Sequence, residues 1–417
     1  MSGFLARLRR HAIDTTPLRV SGEFRRLFLG RSISRFGDEI VAVVVPFQVY
    51  ELTGSVLAVG LIGLVELIPV LVAPVVGGAF ADALERRRLA VWTHVALAAL
   101  SLAMVGNALL PEPMLWPLYV FAFLSAGLIT FARPALDTWP ARLLDLELMP
   151  SAGALDAGFG TFAGTIGPVA AGLLLATIAP AGAYLFDAAT FLVVIVALAR
   201  MRPSPPAEGG PTLGLRAIAD GFLFLRGRRV IQGVFIADLL AMVFGFPVAL
   251  FPAIAKDRLG GGPEVLGLLH GALAGGAFLA TLASGRARHV RRQGRAIVLS
   301  VAVWGAAIVV LGFATSVPVA LLALAVAGAG DMVSGIFRTA ILRSAVEDRL
   351  RGRLDGIGMA VWASGPALGN LESGAVAALA GVPFAVASGG AVAAIGVVAL
   401  AALAPAFWRY DARSSDG

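Results

Sequence analysis

Long apolar runs, most of them close to twenty residues or longer, alternate with short polar segments along the whole chain. A helix of about 20 residues crosses the hydrocarbon core of a bilayer, which is about 30 Å thick. The alternation therefore predicts an all-α integral membrane protein with twelve transmembrane helices. The predicted spans are 27–52, 56–81, 89–110, 115–134, 151–178, 184–199, 230–255, 264–284, 296–313, 317–342, 354–380 and 383–407.

Three short motifs of the first half return in the second half in the same order. Gly78 and the arginines after it recur at Gly285, 207 positions on. FARPAL at 131–136 recurs as FRTAIL 206 positions on, and GPVAAG at 167–172 recurs as GPALGN 198 positions on. Six predicted spans separate each pair, and an even number leaves the two halves in the same orientation. Parallel repeats of this kind are typical of a transporter built from two six-helix bundles.

The repeat and the polar gaps divide the chain into two bundles, a linker and two tails. Within the linker, 213–225 is amphipathic, which predicts a helix lying on the membrane surface. The predicted parts are a cytoplasmic tail 1–26, an N-terminal bundle 27–199, a cytoplasmic linker 200–229, a C-terminal bundle 230–407 and a cytoplasmic tail 408–417.

Composition supports the membrane assignment and narrows the functional classes. The chain is 58% hydrophobic and only 14% charged, whereas about a quarter of the residues of a soluble domain are charged. Its net charge of +7 comes from arginines in the gaps between spans, without a separate basic domain, which argues against nucleic-acid binding. The chain has no cysteine, which excludes disulfides, thiolate chemistry and cysteine metal sites.

The basic residues predict the orientation of the array. With the N-terminus in the cytoplasm, only Lys256 and Arg258 fall in an outer loop, and the other basic residues lie at or towards the inner face. This is the positive-inside pattern. The basic N-terminal segment also lacks the apolar core and cleavage site of a signal peptide. We therefore expect a multi-pass protein of the bacterial plasma membrane with both termini cytoplasmic.

One predicted inner turn carries a dense motif, GGAFADALERRRL at 77–89. It resembles the loop signature of the major facilitator superfamily, G-x-x-x-D-[RK]-x-G-[RK]-[RK], from which Ala83 and Glu85 depart. The resemblance implies a gating role in which the acid holds the two halves together through the start of the span 354–380. A topology signal without a gating role is the alternative. The residues of this predicted gating loop are Gly78, Asp82, Arg86 and Arg87.

Further segments resemble the exporter branch of that superfamily, which includes enterobactin exporters and related secretion-type permeases. GPVAAG also approximates the G-P-x-x-G-G motif of the antiporters, with Ala171 at the first paired glycine. Arg133 lies at the inner end of its span, whereas drug/proton antiporters usually carry a mid-helix arginine there. The segments are GRSISRFGDEI at 30–40, ARPALDTWPARL at 132–143, GDMVSGIFRTAILRSAVEDRLRGRLDGIGM at 330–359 and SGPALGNLESG at 364–374.

Charged residues inside predicted spans are the candidate site, because a charge at the bilayer centre costs about 2.5–3.5 kcal/mol on insertion scales. In the first span, Arg35 is spaced to pair with Asp38 and Glu39, which would give a neutral structural cluster. The alternative is an Asp38 that faces a cavity. Glu66 has no basic neighbour within a turn, which suits a carboxylate that binds protons or substrate. Otherwise it is a neutral acid hydrogen-bonded to another helix.

The second half contributes its own polar positions. Asp331 and Arg338 are two turns apart on one helical face and are expected to share a network. Further proton-coupling or cavity candidates are Asp238, Asn370 and Glu372, and Arg35, Arg133 and Arg338 are assigned to a cytoplasmic-side charge network. Asp156 and Asp187 are placed near membrane edges with structural roles.

These features indicate a secondary transporter that works by alternating access. No Walker A, HExxH or catalytic constellation occurs, so we expect no enzyme activity, cofactor or metal. We expect a monomer that exports an amphipathic small molecule, such as a drug or siderophore, in exchange for protons. The alternatives are an importer of a nutrient or peptide on the same fold and a non-transporting membrane receptor.

Overall fold

The computed structural model describes residues 14–204, 227–285, 290–344 and 348–411. Within these ranges the regular structure is helical. The long helices of the first half are α1 (Gly22–Thr53), α2 (Val56–Ala83), α3 (Arg86–Ala108), α4 (Trp116–Asp137) and α5 (Met149–Ala199). Those of the second half are α6 (Arg229–Leu239), α7 (Pro263–Ala283), α8 (Gln293–Phe313), α9 (Val317–Ser344), α10 (Asp348–Ala380) and α11 (Val382–Leu403). Short helices are Thr16–Val20, Pro140–Leu143 and Pro405–Trp408.

Nine helical stretches of the described ranges are long and apolar enough to cross a membrane. The two long helices α1 and α10, which carry charged residues along half of their length, are not among the nine. The prediction of an all-helical membrane protein is confirmed at this level.

Helix α5 is two antiparallel segments rather than one rod. Ala179 has a positive φ of 57°, and Pro180 follows it. Arg35 of α1 packs against Gly160, and Gly37 of α1 packs against Asp187. On a straight helix Gly160 and Asp187 would stand about 40 Å apart at 1.5 Å per residue. The chain therefore turns back at Ala179, close to the predicted boundary between the spans 151–178 and 184–199.

The turn between α1 and α2 shows how local sequence fixes the helix ends. The Gly54 residue ends α1 in the left-handed region at φ 60°, a conformation that glycine adopts without steric cost. The Ser55 hydroxyl then accepts a hydrogen bond from Ala58 N at 3.2 Å and begins α2. Ser21 caps α1 in the same way, through Phe24 N at 3.1 Å.

The prediction of one unbroken helix over 230–255 is wrong. Helix α6 continues as a π-helical turn at Leu240–Phe244 and then opens around Pro247. Short turns at Val248–Leu250, Phe251–Ala253 and Ile254–Arg258 complete the crossing. Proline cannot donate a backbone hydrogen bond, and the freed groups find partners on other helices. Trp304 Nε1 donates to Gly245 O at 2.9 Å, and Ala249 N donates to Asn370 Oδ1 at 3.1 Å.

Helices of each half pack mainly on one another. Helix α1 and helix α3 pack along α5, and α2 packs along α4. In the second half, α8 packs along α9 and α11, and α7 packs along α9. The two halves meet where α2 packs on α10 and where α5 packs on α7.

Parts of the predicted domain division lie outside the described residues. These are the tail 1–13, the linker residues 205–226 with the amphipathic 213–225, and the end 412–417. The domain boundaries therefore stay predictions.

Candidate functional site

The two halves are joined by a pair of close helix crossings. We call the end of the array that holds the start of α1 and the end of α2 the arginine-rich end, and the opposite end the arginine-poor end. Towards the arginine-poor end, Gly60 of α2 meets Gly374 of α10, and Gly172 of α5 meets Gly267 of α7. A Cβ added at Gly267 would stand 2.8 Å from Pro168 O and 3.0 Å from Gly172 Cα. Small residues allow helix backbones to approach this closely.

Polar side chains reinforce these crossings at the same end. The Tyr50 hydroxyl donates to the Asp257 carboxylate. The Lys256 ammonium donates to Glu51 Oε1 at 2.6 Å. We call the two glycine crossings and these two polar contacts the seam. The sequence analysis placed Lys256, the chain's single lysine, in an outer loop but did not predict the contacts of these four polar residues.

Glu66 follows Gly63 by about one turn of α2, and Gly63 packs against Ala367 of α10. It is half-buried and has neither a hydrogen bond nor an ion pair among the described residues. Its isolation agrees with the prediction of a carboxylate without a basic neighbour. The alternative role of Glu66 was a neutral acid that is hydrogen-bonded to another helix. The described part of the chain contains no such hydrogen bond.

A cavity of about 580 Å³ lies inside the first half towards the arginine-rich end, between α1, α3, α4 and α5. Aromatic rings of Phe24, Phe28 and Phe159 form part of its wall. We call it the first-half cavity. The charged groups and histidine that line it are Arg31, Arg35, Asp38, Glu39, His94, Arg133, Asp137 and Asp156.

The arginines of this cavity pair with acids on the same helix or on another helix. Arg31 binds Asp137 at 2.6 Å, and Arg133 lies 3.8 Å from the same carboxylate. Arg35 pairs with Asp156 of α5 at 3.8 Å. The predicted pairing of Arg35 within α1 is therefore replaced by a partner on α5.

Asp38 and Glu39 are consequently left without a basic partner within 4.0 Å among the described residues. Asp38 lines the first-half cavity, as the cavity-facing alternative proposed. Gly37, the residue before Asp38, packs against the carboxylate of Asp187. Asp187, expected near a membrane edge, lies two turns from the reversal at Ala179 and is only 1% exposed.

The second half contains a three-residue charge network in which Asp238 and Arg338 are buried. Arg338 of α9 forms an ion pair with Asp238 of α6. It also donates to Asp331 Oδ1 at 3.1 Å, which confirms the predicted contact along one helical face. The assigned charge network of Arg35, Arg133 and Arg338 is not a single cluster: the first two arginines line the first-half cavity, and Arg338 lies in the second half.

The loop between α2 and α3 is tied to its own half in the part that the structure describes. Arg87 donates to Met201 O at 2.9 Å, and Arg86 N donates to Ser204 O at 3.2 Å. Glu85, a departure from the family motif, pairs with Arg87 at 3.2 Å and with Arg88 at 2.9 Å. The predicted latch is untested because the contacts of Gly78 and the side chains of Asp82 and 348–357 lie outside the described residues.

Two predicted cavity residues of α10 have different surroundings. Asn370 accepts from Ala249 N and supports the broken crossing after α6. Its carbonyl also lies against Gly60 of α2. Glu372 is half-buried and has no ion pair among the described residues. Asn370 thus has a structural contact at the place where α2, α10 and the opened crossing meet.

The model of a family described as transmembrane secretion effector matches residues 13–416. The chain belongs to that family. This branch of the major facilitator superfamily is the one indicated by the loop motif and the exporter-like segments, so that prediction is confirmed.

Relatives of this secretion effector chain include enterobactin exporters. The enterobactin exporter EntS of Shigella boydii serotype 18 is 29% identical over 393 residues, which cover 94% of each chain. EntS of Escherichia coli O81 gives the same identity and coverage.

Solved transporter structures share the fold. The nucleoside transporter NupG matches with a TM-score of 0.72 at 14% identity, covering 92% of this chain and 98% of its own. A bacterial homologue of the human lysosomal transporter Spinster matches with a TM-score of 0.71 at 14% identity, covering 94% and 96%. At this identity the likeness concerns the fold alone.

Proposed function

We propose that this protein is a secondary active exporter that moves an amphipathic small molecule out of the bacterial cytoplasm and takes protons in return. The observation that carries the proposal is the full-length match to enterobactin exporters, which spans 94% of both chains. A siderophore of that chemical class is therefore the first substrate to test, and lipophilic drugs are the second. The transporter acts without a cofactor, metal or nucleic-acid partner, as a monomer in the lipid bilayer.

The proposed architecture has twelve crossings in two six-helix bundles, 27–199 and 230–407. We assign these twelve crossings to the nine apolar stretches, to the charged helices α1 and α10, and to the second segment of α5 after Ala179. The arginine-rich end is the cytoplasmic end by the positive-inside pattern. Both termini and the linker 200–229 then lie in the cytoplasm.

Orientation can be tested directly because the chain has no cysteine. Single cysteines placed at Arg87 and Arg292 should react with a membrane-impermeant thiol reagent only in inverted vesicles. A cysteine at Glu51 should react only in right-side-out cells. Reaction of the first two from the outside, or from opposite sides, would overturn the architecture.

The seam supports alternating access in this proposal. The two halves are held together towards the proposed outer end by the seam. It consists of the contacts of Gly60 with Gly374 and of Gly172 with Gly267, and of the polar contacts of Tyr50 and Lys256. Opening this end requires these contacts to part while the α2–α3 loop region closes the other end. Because the seam contacts lie towards the proposed outer end, they support a state in which the transporter is closed to the outside.

Carboxylates without basic partners supply the coupling in this proposal. Glu66 and Asp38 lie in the first half without an ion pair among the described residues. One proton that crosses 100 mV releases about 2.3 kcal/mol, which is enough to bias a cycle between two states. Asp238 is already neutralised by Arg338, so it is a weaker carrier than Glu66.

The test is uptake of enterobactin, and separately of a cationic drug, into inverted vesicles with an imposed pH gradient. We expect accumulation that collapses when the gradient is dissipated and that falls at least tenfold in Glu66→Gln. Asp137→Asn, which removes an acid held by Arg31, is the matched control and should retain most of the flux. Flux that ignores the gradient would remove proton coupling. Accumulation only in right-side-out vesicles would favour an importer, a function that the same fold also supports.

A further inference from the structure

Residues 201–204 form a short non-helical segment directly after α5, which ends at Ala199. A residue that precedes a proline avoids the helical conformation, so the step from Arg202 to Pro203 favours the end of the helix here. The predicted linker begins at residue 200, but the contacts of this segment fix it on the first half. We call residues 201–204 the clip.

The side chain of Met201 anchors the clip in the apolar core of the first half. It is 2% exposed and belongs to a buried cluster with Leu27 of α1, Ala90 of α3 and Trp139, which follows α4. Methionine is unbranched and flexible, so it fills an irregular gap between several helices. Withdrawal of this side chain would expose apolar surface to water, which is unfavourable. The clip is therefore held by apolar burial as well as by hydrogen bonds.

The backbone of the clip binds the start of α3. Arg87 Nη1 donates to Met201 O at 2.9 Å, and Arg86 N donates to Ser204 O at 3.2 Å. A hydrogen bond from a charged guanidinium is stronger than one between neutral groups. Glu85 Oε1 lies 3.2 Å from Arg87 Nε. The guanidinium of Arg87 is thus fixed between the α2–α3 loop and the clip.

Two further parts of the first half also bind the clip. Arg142, on the short helix Pro140–Leu143, donates from Nη1 to Ser204 Oγ at 3.3 Å. Glu23, in the first turn of α1, accepts a hydrogen bond from Arg202 N at 3.1 Å. Ser204 is buried, and buried polar groups are normally hydrogen-bonded in this way. The clip therefore has partners on α1, on α3 and on the short helix between α4 and α5.

The clip and the seam differ in burial. Met201 and Ser204 are buried, whereas the side chains of Lys256 and Glu51 in the seam are 54% and 40% exposed. Opening the clip would leave buried polar groups without partners, which is more unfavourable than separating an exposed ion pair. The polar contacts of the seam can therefore part while the clip stays closed, so that the α2–α3 loop moves together with the first half.

We propose that the clip is a positioning device of the transporter, in which Met201 and Arg87 fix the α2–α3 loop to the first half throughout the transport cycle. Any contact that this loop makes with the second half is then made from a fixed position on the first half. The proposal goes beyond the proposed export function and relies on it only for the existence of a cycle. The clip itself can be measured in protein that does not transport.

The test measures the distance between two spin labels on the purified full-length protein by dipolar electron paramagnetic resonance spectroscopy. The chain has no cysteine, so Arg88→Cys and Arg202→Cys place one label beside the loop and one on the clip. These two side chains are 76% and 92% exposed, so the labels extend into solvent and leave the packing intact. We expect one narrow distance distribution. A broad distribution in this doubly labelled protein would overturn the clip.

Variants of the clip separate a positioning role from general destabilisation. Met201→Ser and Arg87→Gln should each lose the narrow peak, whereas Met201→Leu keeps an apolar side chain of similar volume and should retain it. Arg133→Gln is the matched control, because Arg133 lies at the same end of the array and pairs with Asp137, and it should also retain the peak. A narrow peak that persists in Met201→Ser and Arg87→Gln would contradict the proposal.

Crowding of the seam tests whether the clip stays closed during the cycle. Gly267→Ala should leave the distance between labels at Arg88 and Arg202 unchanged. A second pair of labels at Arg88 and Arg292, one on each half, should change its distance in the same variant. A shifted or additional peak for the first pair would show that the clip opens, which the proposal forbids. A second pair that does not respond would contradict alternating access instead, and the clip would still be decided by its own variants.

Discussion

In each half, an arginine–aspartate ion pair joins the first long helix to the fourth. The arginine and the aspartate exchange helices between the halves. In the first half, Arg31 is on α1 and Asp137 is on α4, and the side chains are 26% and 48% exposed. In the second half the acid, Asp238, is on α6, Arg338 is on α9, and the side chains are 3% and 10% exposed. The repeat therefore preserves the helix pair that is joined, but it preserves neither the direction of the charges nor their burial.

This difference separates the roles of the halves. In the second half, Asp238 and Asp331 share Arg338, so the buried charges are largely compensated. In the first half, Asp38 and Asp187 have no basic partner among the described residues, because Arg31 and Arg35 pair near the arginine-rich end. We infer that the pair of Arg338 with Asp238 is a fixed electrostatic anchor of the second half, whereas Asp38 and Asp187 of the first half are able to change protonation.

The largest effect should follow from removal of the second-half anchor. Arg338→Leu leaves the buried Asp238 without its cation, and breaking a buried pair from one side costs about 3–5 kcal/mol. We expect a marked loss of thermal stability of the purified protein in detergent. The double variant Asp238→Leu with Arg338→Leu should regain much of it, since no uncompensated charge remains. Equal losses in the single and double variants would show that packing, not charge, dominates there.

A smaller effect should follow from crowding the seam, where the halves are alike. Gly60 and Gly267 occupy corresponding helices at the offset of the repeated loop motif, and their partners are Gly374 and Gly172. Gly267→Ala places a methyl group 2.8 Å from Pro168 O. Overpacking costs about 1–3 kcal/mol, which shifts a two-state balance about fivefold or more away from the closed seam.

Lys256 reports that shift because it is the chain's single lysine and pairs with Glu51 across the seam. Its reaction with an impermeant amine reagent, mapped by peptide mass spectrometry, should accelerate in Gly267→Ala and equally in Gly374→Ala. Gly275→Ala lies on the same helix α7, and no atom of another described element stands within 4 Å of its added Cβ, so this variant should react as the wild type does. A response to only one of the two crossings would break the symmetry of the seam.

The same contrast shows what the sequence could predict. Apolar run length predicted the helices because it measures the crossing of a bilayer, and the contact of Asp331 with Arg338 followed from spacing on one helix. The partner of Arg35 is on another helix, which local spacing cannot identify. Hydropathy also does not show whether a helix is continuous. The interruption of the helix around Pro247 was therefore missed, because it lies within an apolar run. Asp187 was expected near a membrane edge, but the reversal at Ala179 is sharper than the predicted gap, so this acid lies two turns from the reversal rather than one.

The smallest effect should come from the first-half counterpart of the anchor. Arg31→Ala removes a pair whose two side chains remain in contact with solvent, and exposed ion pairs contribute about 0–1 kcal/mol. We expect a small loss of thermal stability, well below that of Arg338→Leu. The difference in stability between this variant and the wild type should become smaller still at high salt, because exposed charges are screened. Asp137 then keeps Arg133 as a second cation at 3.8 Å, which limits the cost further. A loss as large as that of Arg338→Leu would mean that the Arg31 pair is also a buried anchor. It would then no longer be possible to assign the fixed charge pair to the second half alone.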